Sequence, residues 1–528
     1  MSRTADATVL PAMRRVPEGR VGRTRDALLV GAAAALLSVL FSWVPSLWYD
    51  EAATVVSATR SWPELAREVG TVDLVHAAYY SLLHLWFDLV GYSPFTLRLP
   101  SAVAIGIAAG GLVALLRAVV PRRTAVLAGV VFAVLPRTVW AGGEGRSYAI
   151  SIALALGLLA AYVFAARASS GGRRQAVLGW LAYAAVAVLA CSVFLYLALV
   201  VAAAGATALW TALRKRRRRE LIGWAAAAAG SAALLAPLAH RIAAQSGQVW
   251  WIPPLGARTP ADVFVAQSFG GADLLALLVW VLALAGVAAT LLGGRGREPR
   301  QSDLGQSGLR GPGAGVPSLI ELLVPFVVVP ILGLLAASVM LSPLYSPRYL
   351  GFTTLGLAAF AAVGIAALPA RALSVAALVG VLALSVPPAV AQRLPESKQH
   401  SSWAEAASLL ARERASEPAG TREAVVFGAL RRHPSATTRV LEYAYPDAFA
   451  GLEDPALLVP ARESGQLWEE RAPLEDVLGR FADDDTVWLF VSDEGAGAEE
   501  ATRELGTVGL RPDGAWHLSY LDVVRFRR

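Results

Sequence analysis

Cysteine is all but missing from these 528 residues: Cys191 stands alone. It lies inside an apolar segment, so no intramolecular disulfide can form and a thiolate metal site is not expected. Charge is scarce as well. Asp, Glu, Lys and Arg make up 16% of the chain against 56% hydrophobic residues, and the mean hydropathy of +0.52 is far from that of a soluble globular protein. No HExxH, P-loop, GxSxG or zinc-type cysteine spacing occurs, and no internal repeat is visible. The first 26 residues are Arg-rich without an apolar core of their own. That argues against a cleaved signal peptide and leaves the first apolar span as the targeting signal.

What the chain has in quantity is apolar sequence in runs near 20 residues, the length that crosses about 30 Å of hydrocarbon as a helix. Eleven such runs are predicted: 27–47, 97–119, 124–140, 147–166, 175–191, 192–212, 221–239, 272–292, 318–340, 349–368 and 372–391. The chain therefore reads as an α-helical polytopic membrane protein with about eleven transmembrane helices. Its net charge of +7 divides into about +15 before residue 392 and about −8 after it, so the basicity belongs to the membrane part and needs no nucleic-acid partner. Basic clusters (the N-terminal arm, Arg117 with "PRR" at 121, Arg167 with "GGRR" at 171, "RKRRRR" at 214, "RGREPR" at 295 and Arg371) fall on one side of these spans. By the positive-inside rule that side is the cytoplasm, and the protein is a multi-pass protein of the plasma membrane.

The stretch "VDLVHAAYYSLLHLWFDLVGYSPF", residues 72–95, is partly apolar but carries His76, His84 and Asp88. It is read as a helix lying in the outer interface, within one long external loop, 48–96. "EAATVVSATR" and "SWPELAREVG" are amphipathic pieces of that loop, the second with Ser61 as N-cap and Pro63 in its first turn. Residues 1–26 form a cytoplasmic arm, 293–317 a flexible cytoplasmic loop, and 27–391 the membrane domain. Residues 392–528 mix helical patterns ("WAEAASLLARERA", "PLEDVLGRFA", "GAEEATRELG") with strands ("EAVVFGAL", "DTVWLFVS", "SYLDVVRFR"), which predicts a small α/β domain. An odd number of spans puts it outside the cytoplasm.

On this topology Asp50, Glu51, His76, Glu144, Arg146, Arg241 and Arg348 share the outer side. Ionisable groups at the edge of hydrocarbon are expensive unless hydrated or paired, so a cluster of them marks a candidate site. Asp50 and Glu51 point about 100° apart on a helix and cannot flank one bond as a glycosidase pair does. One can reach a reacting centre as a general base while the other holds the loop; Asp50 also reads as a helix N-cap. "WAGGEGRSYAI", 140–150, sets Glu144 and Arg146 in a short turn, where a plain local ion pair is the alternative. "LSPLYSPRYLG", 341–351, ends in Arg348, a guanidinium suited to phosphate, and Tyr349, equally an interfacial belt residue. Trp250 and Trp251 suit a headgroup boundary or a sugar face. His84 and Asp88, one helical turn apart, are too few to define a metal site.

Taken in order, "WYDEA", "VHAAYYSLLHLW", "LRLPSA", "GEGRSYA" and "SPRYL" resemble the multi-spanning glycosyltransferases of the GT-C fold, nearest to the bacterial relatives of protein O-mannosyltransferases and aminoarabinose transferases. The resemblance covers most of 27–391. It implies transfer of a sugar, mannose or similar, from a polyprenyl-phosphate carrier to a cell-envelope glycan, glycolipid or protein at the outer face of the plasma membrane. It implies Asp50 as the base with Glu51 beside it. Glu144, Arg146, Tyr148, Arg348 and Tyr349 fall on the donor side, and His76 and Tyr79 on the acceptor side or interfacial loop. A divalent metal is an open element of the resemblance, with Asp50, Glu144 and His76 as its candidate ligands. Ala77 and Ala78 replace two prolines of the family pattern, and Gly145 replaces an alanine, which adds turn freedom. Two other classes compete: a transporter or flippase of a lipid-linked glycan, and a non-catalytic glycan-binding envelope protein. A transporter places its ionisable residues near the bilayer midplane and shows paired halves, unlike this chain.

Overall fold

The computed structural model describes residues 20–249, 251–293, 317–418, 420–433, 435–492 and 496–528. Nearly all of the loop expected at 293–317, most of the N-terminal arm, and Trp250 lie outside them. Among the described residues nine helices are long and apolar enough to cross a membrane, or ten when one bent pair counts as a single span. The predicted first span, 27–47, is shorter than expected: α1 (Arg20–Val39) ends early, and residues 40–48 form turns and irregular chain. It packs closely along α5 (Pro94–Leu116), where a Cβ on Gly31 or Gly110 would press on a backbone carbonyl of the other helix, 2.8 and 2.6 Å away.

Between these two helices runs the long first loop. It contains α2 (Tyr49–Ala58), α3 (Trp62–Thr71) and α4 (Ala77–Val90). Ser61 is the N-cap of α3, its N–H donating to Glu64 Oε2 at 2.8 Å, as its sequence predicts. The 14 residues of α4 span only about 21 Å, short of the hydrocarbon thickness. It buries Tyr79, Tyr80, Leu83 and Phe87 and leaves Leu82, Leu85 and Leu89 exposed. Pro100 inside α5 has no N–H for the Thr96 carbonyl, and Trp86 Nε1 of α4 donates to that oxygen at 2.8 Å instead. A helix defect thus becomes the docking point of the loop.

α6 (Arg122–Val134) and α7 (Pro136–Gly142) meet at 65°. Pro136 drives Leu135 out of helical geometry, to ψ 134°. The bend aims Arg137, Trp140 and the turn at 143–147 toward the first loop. The bundle continues through α8 (Tyr148–Ala168), α9 (Arg173–Val193), α10 (Ala198–Lys215) and α11 (Arg218–Ala244). Short α12 (Thr259–Ala261) and α13 (Gln267–Phe269) flank a π-helical turn. The last spanning helices are α14 (Asp273–Gly293), α15 (Leu319–Met340), α16 (Thr354–Ala367, entered by a 3₁₀ stretch Pro347–Thr353) and α17 (Arg371–Ala391).

Beyond α17 the chain forms the expected α/β unit. Strands β1 (Glu423–Phe427), β4 (Thr486–Val491), β6 (Asp522–Arg527) and β5 (Arg511–His517) lie side by side in that order, β1 parallel to β4 and the rest antiparallel. A short ribbon, β2 (Leu457–Val459) with β3 (Glu470–Arg471), stands apart. β5 is not evident in the sequence, because "RPDGAWH" carries Pro, Asp and Gly and its register shifts at 512–514. "PLEDVLGRFA" shortens to one α-turn and one 3₁₀ turn. α18 (Trp403–Arg414), the sheet and the first loop share one apolar core, from Leu47 and Tyr80 to Trp403 and Trp488. Hydrogen bonds seal the junction: Leu47 N–H to Tyr445 Oη at 2.9 Å, Tyr92 Oη to the Ala444 carbonyl at 2.6 Å, and Arg60 Nη2 to the Gln466 carbonyl at 2.7 Å.

Candidate active site

Asp50 and Glu51 occupy the first turn of α2, where negative charge suits the helix dipole. Asp50 is not the N-cap; that position is Trp48. The two carboxylates then part company. Glu51 is completely buried and Arg98 holds it bidentately, Nε to Oε1 at 2.8 Å and Nη2 to Oε2 at 2.5 Å. Oε1 also accepts from Lys398 Nζ at 2.8 Å and from the Gly145 N–H at 2.7 Å. Burial pushes the Glu51 carboxyl up, but Arg98 and Lys398 outweigh it and hold the group well below the usual carboxylate range. Glu51 is thus enclosed by protein donors, as expected of the carboxylate that holds the loop, and of the pair Asp50 keeps a partly exposed edge. Arg98 extends the anchor, donating through Nη1 to the carbonyls of Ser42 and Pro45 at 2.6 and 2.8 Å.

Glu144 joins the same cluster from the other side. Lys398 Nζ lies 3.0 Å from its Oε1, and Trp48 Nε1 donates to Oε2 at 3.0 Å. Burial and the charge of Glu51 raise its pKa against the pull of Lys398. Arg146 turns the opposite way, so the local ion pair with Glu144 does not form. Its Nη1 reaches the Asp50 carbonyl at 3.1 Å, Thr54 Oγ1 at 3.1 Å and Tyr80 Oη at 3.3 Å, and Nη2 lies 2.8 Å from His76 Nε2. Guanidinium only donates, so Nε2 accepts and the proton of a neutral His76 sits on Nδ1. Burial, with Arg146 and Arg348 adding to it, pushes the His76 pKa well below its ordinary value. Gly145 has no left-handed φ to explain it; a Cβ there would stand 2.6 Å from Leu97 Cγ, so close packing and not turn freedom is what this glycine supplies.

Arg348 comes from the start of the α16 span and lies with Nη1 3.4 Å from Asp50 Oδ2. Trp251 stacks on its guanidinium at 4.6 Å, and Trp48 lies 5.6 Å from it. Its Nε is buried and has no hydrogen-bond partner among the described residues. Beside it opens a cavity of about 300 Å³ walled by Trp48, Trp140 and Trp251 and by the cations Arg137, Arg348 and Lys398, with Glu144 the acidic wall residue. Tyr148 packs on Trp140 at 5.0 Å, and Tyr349 stacks on Tyr196 at 4.9 Å. Tyr79 is a core residue, 1% exposed, away from that wall.

The three candidate metal ligands do not gather. Asp50 faces Arg348, Glu144 is held by Lys398 and Trp48, and His76 by Arg146; among the described residues no group of three or more His, Cys, Asp or Glu side chains is placed to hold a metal. His84 and Asp88 contact each other at 3.4 Å, with His84 Nδ1 near the Ala58 carbonyl. Three residues central to the site escape the sequence reading. Arg98 and Arg137 are arginines within apolar runs, a signal that was available. Lys398, in the segment leading to the C-terminal domain, carries none.

No protein-family model matches the sequence, and no curated protein matches it either. Solved structures do match in fold. The chain is similar to ArnT from Cupriavidus metallidurans bound to undecaprenyl phosphate, with a TM-score of 0.57 at 12% identity over 95% of this chain and 98% of that one. The apo form of the same protein gives 0.58 at 11% identity, over 96% and 98%. Likeness at this identity is a likeness of fold, and the fold is the GT-C architecture that the order of motifs implies.

Proposed function

We propose that this chain is an integral-membrane glycosyltransferase that moves a sugar, mannose or similar, from a polyprenyl-phosphate carrier to an envelope glycan, glycolipid or protein at the outer face of the plasma membrane. The observation that carries the reading is the meeting of Asp50 and Arg348 at 3.4 Å beside a cavity with three cations on its wall. A phosphate-linked donor needs fixed positive charge where the phosphate departs, and Arg348, with Arg137 and Lys398, supplies it on this wall. Asp50 is the partly exposed carboxylate of the cluster. As the acceptor hydroxyl attacks the anomeric carbon, Asp50 takes its proton, the bond from that carbon to the phosphate oxygen breaks, and polyprenyl phosphate leaves with the electron pair. A single displacement inverts the anomeric centre. Arg146, itself bonded to His76 and Tyr80, donates to the backbone carbonyl of Asp50. The likeness in fold to a protein crystallised with undecaprenyl phosphate supports the lipid carrier.

The test is transfer from a radiolabelled polyprenyl-phosphate sugar into envelope extract by membranes containing the protein. Asp50→Asn is expected to lower transfer about 10²- to 10⁴-fold at unchanged protein abundance. Arg348→Ala is expected to raise the donor concentration needed for half-maximal rate. Near-normal turnover in Asp50→Asn removes that residue from the mechanism.

A further inference from the structure

Lys398 is the member of the buried cluster that comes from beyond the last spanning helix, α17. Its three N–H donors meet three oxygens: Glu51 Oε1 at 2.8 Å, Glu144 Oε1 at 3.0 Å and the Gly143 carbonyl at 2.7 Å. Lys398 is 8% exposed, Glu51 0% and Glu144 1%, so the charges are settled among themselves: Arg98 and Lys398 against Glu51 and Glu144. Two carboxylates and a carbonyl are the oxygen donors that a hard divalent cation selects. Here an ammonium stands among them.

The segment that carries Lys398 is held for the purpose. The two residues after it, Gln399 and His400, both adopt left-handed backbone, φ 56° and 60°, which residues other than glycine avoid unless their surroundings impose it. The surroundings are visible. The Ser46 N–H donates to the Pro395 carbonyl at 2.8 Å, and Ser401 Oγ donates to the Leu47 carbonyl at 2.5 Å. The chain is thus stitched to the loop that precedes α2 on both sides of Lys398, and the lysine is driven into the gap between the two glutamates.

We propose that Lys398 is a positioning residue whose ammonium fills the place between Glu51 and Glu144 where a divalent cation would otherwise sit, so that the site turns over without added metal. This rests on the glycosyltransferase reading for its turnover arm only. The ammonium makes no bond to substrate, since all three donors are committed. It fixes Glu144 against the cavity and, through Glu51, the turn of α2 that presents Asp50. Without it the pocket would hold one uncompensated buried negative charge, which must then attract a proton or a cation.

The experiment uses the purified full-length protein in detergent, with Mn²⁺ as the probe, followed by electron paramagnetic resonance. Wild type is expected to keep its transfer rate in EDTA and to bind no Mn²⁺ at this pair. Lys398→Ala and the bulkier Lys398→Met are expected to lose transfer about 10- to 100-fold and to bind one Mn²⁺ per chain. Addition of Mn²⁺ then restores part of the rate, and adding Glu144→Gln to Lys398→Ala removes the bound ion. Lys398→Arg keeps the charge and retains more transfer than either. Wild type that loses transfer in EDTA and regains it with Mn²⁺, or natively folded Lys398 variants that bind no Mn²⁺, overturns the proposal. Absence of transfer from every form would sink the proposed function, while the Mn²⁺ comparison between wild type and variant still decides the role of Lys398.

Discussion

Both ends of the helical bundle carry arginine–carboxylate pairs, and they carry them differently. Where α1 begins, Arg122 grips Asp26 through two hydrogen bonds of 2.7 Å, but its side chain is 55% exposed and Arg117 lies 3.6 Å from the same carboxylate. At the opposite end Arg98 and Glu51 are both at 0% exposure and share their charge with Lys398 and Glu144. A half-exposed guanidinium trades one polar partner for water at little penalty. A buried one has no such alternative, and swapping a whole buried pair for apolar side chains commonly leaves stability unchanged. At the α1 end Asp26 and Arg117 are buried too and only Arg122 reaches water, whereas at the other end every charge of the cluster is dry and lies beside the cavity and Asp50.

The sharpest way to break that contrast is Arg98→Met. It strips the guanidinium from Glu51 and from the carbonyls of Ser42 and Pro45, leaving Lys398 as the nearest cation for two glutamates. The expected loss is about 3–5 kcal/mol, read as a fall in thermal unfolding temperature in detergent and in abundance. Arg98→Lys does not rescue it, because a point charge cannot serve both carboxylate oxygens and two carbonyls. Adding Glu51→Leu to Arg98→Met recovers much of the loss, since no unpaired charge is then buried. Destabilisation of under about 1 kcal/mol in Arg98→Met would show that the buried cluster is not a fixture.

Much of this arrangement was open to reading from the chain. Apolar runs outline the helices because a spanning helix must satisfy its backbone internally, and capping at Ser61 and the short α4 follow from local chemistry. Asp50, Glu144, Arg146, Arg348 and His76 were legible as rare charges at helix ends. Their partners were not. That Glu144 faces Lys398 and not Arg146, two residues away, depends on which way a buried turn rotates, and sequence spacing does not encode rotation. Asp50 and Glu51 are neighbours with opposite fates because α2 packs one face onto Arg98. The sheet was half visible: β1, β4 and β6 are apolar, while β5 is an irregular edge strand.

A second, smaller effect comes from pH and belongs to the same end. Glu68 of α3 is fully buried, accepting from Ser57 Oγ at 2.6 Å and lying 2.9 Å from Arg60, which also binds the C-terminal domain. Burial pushes its carboxyl up from 4.5 to about 7 in spite of Arg60 and Ser57. The folded state therefore holds this proton more tightly than the unfolded chain does. The contribution of Glu68 to stability is expected to be full below about 4.5 and to fall as pH rises from there to about 7, by up to about 3 kcal/mol. In Glu68→Gln that decline is absent, and chemical denaturation across pH 5–8 compares the two. Parallel profiles would mean that Arg60 keeps Glu68 charged throughout.

The smallest effect is expected at the other end, and it is the control on which the contrast depends. Arg122→Ala removes two hydrogen bonds from Asp26, yet Arg117 remains 3.6 Å away and water can reach the place that the half-exposed guanidinium vacates. The expected loss is at most about 1 kcal/mol, with the proposed sugar transfer unchanged. Asp26 itself is only 6% exposed, so the two arginines are not independent. Removing Arg117 as well should lower stability by more than the sum of the single changes, because the first variant leans on the second residue. Denaturation of both single variants and the double measures that coupling. If Arg122→Ala alone proved as damaging as Arg98→Met, exposure would not be what separates the two ends.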